Sequence, residues 1–193
     1  LIAWFLDTYS YIFENSYTQL LWNTTVIASI SSLLIVVVSI YFSYLNRSIK
    51  DIVTNISLKL FSLGYSIPGI VIAIGIMIPV TFLDELQSNF FGEPIFYLSG
   101  SFFALIIAYL VRFSTISFVT TEAGLSKIKN NIDLTARSFG LSKFSIIKNI
   151  HIPMMKTTII TALILVFVDI VKELPATLIL RPFNFDTLSI NIY

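Results

Sequence analysis

DLTARSFGLSKFSIIKNIHIP, residues 133–153, is the most polar and basic stretch of a very apolar chain, and it lies between two long hydrophobic runs. Asn131 and Asp133 are residue types that cap a helix N-terminus, and the acid also suits the helix dipole. Thr135 to Phe139 then makes a short helix, and Gly140 fits the position just past a helix end, where φ is positive. Ser142 caps a second helix, Lys143 to Ile150, whose Phe144, Ile147 and Ile150 share a face. Pro153 prevents simple continuation and biases Ile152 away from the α region. The stretch reads as a pair of short helices hinged at Gly140. Leu134, Phe139 and Leu141, ringed by basic residues, suit a groove on a cytoplasmic partner or an anionic lipid surface. Composition alone leaves both open.

The chain of 193 residues is 56% apolar and 12% charged. A soluble domain carries about 25% charged residues, so there is too little polar material for a shell in water. Apolar runs near the length of a bilayer crossing make this an integral membrane protein. The net charge of +1 suggests no nucleic-acid partner. Cysteine is absent, which excludes disulfides, thiolate metal sites and cysteine nucleophiles. His151 stands alone, which excludes a multi-histidine metal centre, and interface packing is its expected role. No catalytic residue, metal site or cofactor is expected. Residue 1 is Leu with no basic n-region, so the start is not a signal peptide. The chain reads as a fragment cut at both ends.

Spans are expected at about 22–45, 60–83, 95–111 and 157–174, with a last span missing. The aromatic, acidic residues 1–20 belong outside. Ala28 with Ser32, Ser39 with Ser43, Gly69 with Ala73, and Gly100 with Ala104 and Ala108 are small-residue pairs that let helices approach closely. Tyr65-Ser66-Ile67-Pro68-Gly69 should kink the second span and makes Tyr65 and Pro68 candidates for a pathway wall. An acidic loop at 84–94 follows it, and Arg112 ends the third span. A polar segment then occupies about 114–156. Ten of the twelve Lys and Arg residues fall within 46–59 and 112–156, which places those loops in the cytoplasm.

Leu134-Thr135-Ala136, then Gly140, then Ile150-His151-Ile152-Pro153 keeps the spacing of the coupling loop of ABC importer permeases. The chain resembles that family in Ala136, Arg137, Ser138, Gly140, Ile150 and Pro153. It departs from it where the family's Glu is replaced by Leu134, with Asp133 one place earlier. The resemblance implies an all-α polytopic fold with a methionine-importer-like permease core. It assigns ATPase coupling to Asp133, Leu134, Thr135, Ala136, Arg137, Phe139, Gly140, Leu141 and Pro153. Docking would then rest on Leu134, Phe139 and Leu141 more than on a carboxylate.

The run from Phe167 to Leu188, with Lys172-Glu173-Leu174-Pro175-Ala176-Thr177 and Arg181-Pro182-Phe183-Asn184-Phe185-Asp186-Thr187-Leu188, resembles the ferric-iron branch of these permeases. That implies the C-terminal half of a two-half permease in the bacterial inner membrane. Its partners would be cytoplasmic ABC ATPase subunits, a periplasmic iron-binding protein, a second permease half, fused or separate, and membrane lipid. Asp169, Lys172 and Glu173 share a helical face by spacing, with the lysine between two carboxylates. They either line the outer end of a translocation path or form a structural ion pair. The competing readings are the same machinery carrying thiamine, sulfate, a polyamine or a phosphonate, and a non-ABC channel or intramembrane enzyme. No Gly-x4-Gly-Lys-Ser/Thr phosphate loop is present, so ATP would be handled by another subunit.

Overall fold

A computed structural model describes residues 15–48, 56, 61, 63–92 and 96–192. The readings of residues 1–14, of Lys50 and Lys59, and of Glu93 and Pro94 lie outside that set. Among the described residues there are helices and turns and no strand. Among those residues, three helices are long and apolar enough to cross a bilayer: α1 (Asn15–Ser48), α2 (Gly69–Phe91) and α3 (Phe102–Ser126). Then come α4 (Asn130–Ser138), α5 (Lys143–Met154) and α6 (Lys156–Val171). With 16 residues, α6 is about 24 Å long at 1.5 Å per residue, short of a hydrocarbon core of about 30 Å. It reaches the length and apolarity of a fourth crossing only together with α5, and that pair is bent by 83°. The short helices α7 (Pro175–Leu180) and α8 (Leu188–Ile192) follow.

The helix bounds depart from the sequence reading for identifiable reasons. The expected kink at 65–69 is a break. Gly64–Ser66 is a 3-10 turn, and Ile67 is extended (φ −87°, ψ 131°), as a residue before proline prefers. The helix starts after it, at Gly69, and runs on through the expected acidic loop to Phe91. Asp84 does not end it, because its carboxylate accepts from Leu98 N (2.8 Å), Ser99 N (2.9 Å) and Ser99 Oγ (2.6 Å). A buried carboxylate with three donors needs no water.

The largest departure is α3. It begins at Phe102, and residues 114–126, expected as a polar loop, are helix. Arg112, expected at the end of the span, therefore lies in the helix interior. Ser114, Ser117 and Thr121 are buried. Thr120 Oγ1 donates to Ile116 O (2.7 Å) and Thr121 Oγ1 to Ser117 O (2.9 Å). A hydroxyl returned to its own helix behaves as a small packing residue, so this polar stretch needs no exit to water.

The chain forms two compact units. The described residues of the first come from Leu1–Ile30, Gly69–Ala108 and Val171–Tyr193. Within it α7 packs on α2, and Ala28, Ala73, Ala104 and Ala108 are wholly buried, as close helix approach requires. Gly100, expected on the smooth face of the third span, instead precedes α3 with φ 69°. On α1, Asn23 Nδ2 donates to Asp186 O (3.1 Å), and Thr24 Oγ1 accepts from Leu188 N (2.9 Å).

The second unit comprises Ser31–Pro68 and Tyr109–Ile170. Here Ser43 and Thr121 share a buried hydrogen bond of 2.8 Å between α1 and α3. Phe61 stacks on Phe42 (centroids 4.7 Å) and meets Phe118 edge-on (5.9 Å). Gly64 lies so close to α3 that a Cβ there would stand 1.8 Å from Val111 O. Gly64→Ala should therefore lower the thermal unfolding midpoint in detergent, with an overpacking cost of about 1–3 kcal/mol. Gly75→Ala, whose Cβ meets nothing within 4 Å, should leave the midpoint unchanged or raise it.

Candidate functional site

The stretch 133–153 folds around a left-handed glycine. Gly140 has φ 77°. Gly140 N donates to Arg137 O (2.9 Å) and Leu141 N to Ala136 O (3.1 Å), the two bonds of a Schellman ending for α4. Ser142 caps α5 as its residue type suggests, its hydroxyl accepting from Ser145 N (3.3 Å). The expectations for Gly140 and Ser142 hold, while those for Asn131, Asp133 and Pro153 do not.

The residue at the start of α4 is Lys129, and no side chain caps it. Asp133, in the first turn, points inward instead. At the other end, α5 does not stop before Pro153. Its middle, Ile147–His151, is a π turn, with Ile152 N bonded to Ile147 O. The wider turn takes out of line the carbonyl that a proline ring would strike, so Ile152 stays α-helical (φ −57°, ψ −50°) despite preceding proline. The sharp bend comes after it, at Met155 (φ −100°, ψ 10°).

The coupling candidates separate into two faces. Leu134, Phe139 and Leu141 are exposed (63, 81 and 39%), as are Thr135, Arg137, Gly140 and Pro153. A groove of about 380 Å³ runs beside Thr135, Phe139 and Leu141, floored by Ile132, Ala136 and Ile150. Ala136 is buried against Tyr44 and Ile146. Asp133 is the other buried residue of α4. Its Oδ2 accepts from Arg47 Nε and its Oδ1 meets His151 Nε2, both at 2.7 Å. Arg47 Nη1 also donates to Leu125 O and Ile128 O, both at 2.7 Å, where α3 ends. The His151 ring lies 5.4 Å from that of Tyr44. One bracket thus joins α1, the end of α3, α4 and α5. Arg47 was not among the candidate residues, and His151 is 1% exposed within the fold rather than at an interface. No periodicity links positions 47, 133 and 151, so no sequence signal marks this cluster.

The pathway candidates are placed individually. Tyr65 and Pro68 are exposed, and Tyr65 N reaches Thr115 Oγ1 at 3.4 Å. Asp169 is half-buried on α6. The regular helix expected to carry Asp169, Lys172 and Glu173 ends at Val171, so the last two lie past its end. Pro175 supplies no N–H and opens α7 in its place. Lys172 is exposed. Glu173 is buried, with Oε1 accepting from Ala176 N (3.3 Å) at the start of α7. Its carbonyl accepts from Thr177 Oγ1 (2.7 Å) and Ser189 Oγ (3.1 Å). Arg181 pairs with Asp186 across a turn in which Phe183 is fully exposed and Asn184 has φ 59°.

Residues 36–191 match the family model described as binding-protein-dependent transport system inner membrane component. The chain belongs to that family. It is a multi-pass inner-membrane protein, in keeping with its apolar helices. Among curated relatives, the Fe(3+)-transport system permease protein FbpB 2 of Haemophilus influenzae is 26% identical over 172 residues, 89% of this chain and 32% of that protein. The putative 2-aminoethylphosphonate transport system permease protein PhnV of Salmonella paratyphi A is 24% identical over 133 residues, 69% of this chain and 46% of that protein. The Salmonella typhimurium PhnV matches equally. The chain spans about a third to a half of the length of these relatives.

A side chain at Gly140 meets nothing within 4 Å, so its cost is in the backbone alone. Gly140→Val should destabilise the α4–α5 turn by about 1–2 kcal/mol, and Gly140→Asn by less. Limited proteolysis between α4 and α5 should report that order of susceptibility.

Proposed function

We propose that this chain is the transmembrane permease part of an ABC importer that takes up ferric iron. The observation that carries the importer reading is the outward side of α4, with Leu134 exposed, Phe139 and Leu141 exposed beside an apolar groove, and the chain reversed at Gly140. These residues fall inside the stretch matched by the family. In this reading α4 and α5 lie in the cytoplasm and seat in a groove on an ATPase subunit. Closure of two ATPase subunits on ATP displaces α4 as a lever. The spans, with those of a second permease half, then alternate between inward-open and outward-open forms. Docking rests on Leu134, Phe139 and Leu141, since Asp133 has both oxygens engaged inside the fold.

Iron as substrate is supported by the FbpB 2 relative and by the Lys172–Leu188 run. A periplasmic iron-binding protein would deliver it. The PhnV relatives favour a second reading, with 2-aminoethylphosphonate on the same machinery.

Cells expressing the whole transporter should accumulate labelled ferric iron, and 2-aminoethylphosphonate should not compete. Uptake of the phosphonate without iron would replace the substrate assignment. Affinity-purified permease should bring down its ATPase, and Gly140→Pro, which cannot adopt φ 77°, should lose it. A permease that never retains an ATPase, wild type included, would sink the importer reading.

A further inference from the structure

The Asp133 bracket joins moving parts as well as closing a core. Each carboxylate oxygen takes a different element: Oδ2 takes Arg47 of α1, and Oδ1 takes His151 in the π turn of α5. A slide or rotation of α4 must therefore break or drag one of them. On the inward side α4 also presents Ala136, buried against Tyr44 and Ile146, and Ile132, packed against Leu125, Ile128 and Met155, but these apolar contacts can slide where the two short hydrogen bonds cannot. Arg47 is fixed in turn, because two further carbonyls hold its Nη1.

We propose that Asp133 is the positioning residue that locks α4 and α5 in register with α1, so that a push on the exposed face of α4 reaches α1 through Arg47. The proposal rests on the importer reading above and names the load path within it. Without the bracket, α4 would pivot at the Gly140 turn and the displacement would be absorbed locally. Three more polar atoms of the same cluster, His151 Nδ1, Arg47 Nη2 and Tyr44 Oη, are buried without a hydrogen-bond partner. A second arrangement of the cluster under load would give these atoms partners.

The test uses the complete transporter in proteoliposomes, with Asp133→Asn, His151→Ala and His151→Gln. ATPase capture, ATP hydrolysis and substrate uptake are measured on each. Capture and hydrolysis should persist in all three. Uptake per ATP hydrolysed should fall about tenfold in His151→Ala, the effect of losing one hydrogen bond to a buried charge, and by at least as much in Asp133→Asn, which removes the charge that Arg47 faces. His151→Gln should recover most of it, since its amide nitrogen can donate from near the position of Nε2. Unchanged uptake per ATP in Asp133→Asn would overturn the proposal. So would a parallel fall of capture, hydrolysis and uptake that His151→Gln does not relieve, since that marks a fold element alone. A wild-type complex that captures no ATPase would overturn the importer reading itself, a result distinct from either of these.

Discussion

The contact between Arg47 and Asp133 is the interaction on which the second unit depends. Both side chains are about nine-tenths buried. Two charges taken out of water gain little net stability from each other, but removing one strands the other at a cost of about 3–5 kcal/mol. The pair therefore acts as a specification. It is satisfied only when the end of α1, the end of α3 and the first turn of α4 are all in place, because Arg47 donates to each of the latter two. His151 adds α5 to the same condition. Apolar packing around Tyr44, Ala136 and Ile146 supplies the burial, and the bracket supplies the register.

Elsewhere the bilayer sets the rule. A backbone polar group without water must find its partner inside the protein, and a side-chain polar group costs free energy unless it does. Ser and Thr do so by returning their hydroxyls to the preceding turn, as at Thr24, Thr120 and Thr121. Asp84 does so by gathering three donors from residues 98 and 99. Where the helix breaks, at 63–68, α3 supplies the donors. Ser114 and Thr115 reach Phe61 O, and Arg112 Nη1 reaches Ile67 O at 3.0 Å. An arginine in a helix interior is costly in hydrocarbon. Here it satisfies a carbonyl beside the discontinuity.

That rule also divides what could be read in the sequence from what could not. The membrane class, the helical architecture and the Gly140 turn were legible, because each follows from a local property: hydropathy, small residues at a spacing of four, or a glycine after a helix. The length of α3 was not. Counting Ser, Thr and Arg as loop formers assumes that polar groups seek water, and residues 114–126 answer one another instead. The helix end near the trio at 169–173 was misjudged for the opposite reason. The trio's spacing assumed a helix that Pro175 ends before Lys172. Of the coupling candidates, the exposed apolar set followed from pattern. The inward turn of Asp133 did not, because its partners are 86 and 18 residues away in sequence.

The proline and the π turn together give α5 its mechanical character. A proline in an ordinary α turn would kink the helix where it stands. Widening Ile147–His151 moves that disturbance off Pro153 and holds His151 inward, against Asp133 and Tyr44. The bend is then confined to Met155, which is buried against Leu125 and Ile128. The carbonyls of those same two residues are held by Arg47. The corner between α5 and α6 and the carboxylate bracket thus bear on the same end of α3. A displacement of α4 strong enough to move Arg47 also loads this corner.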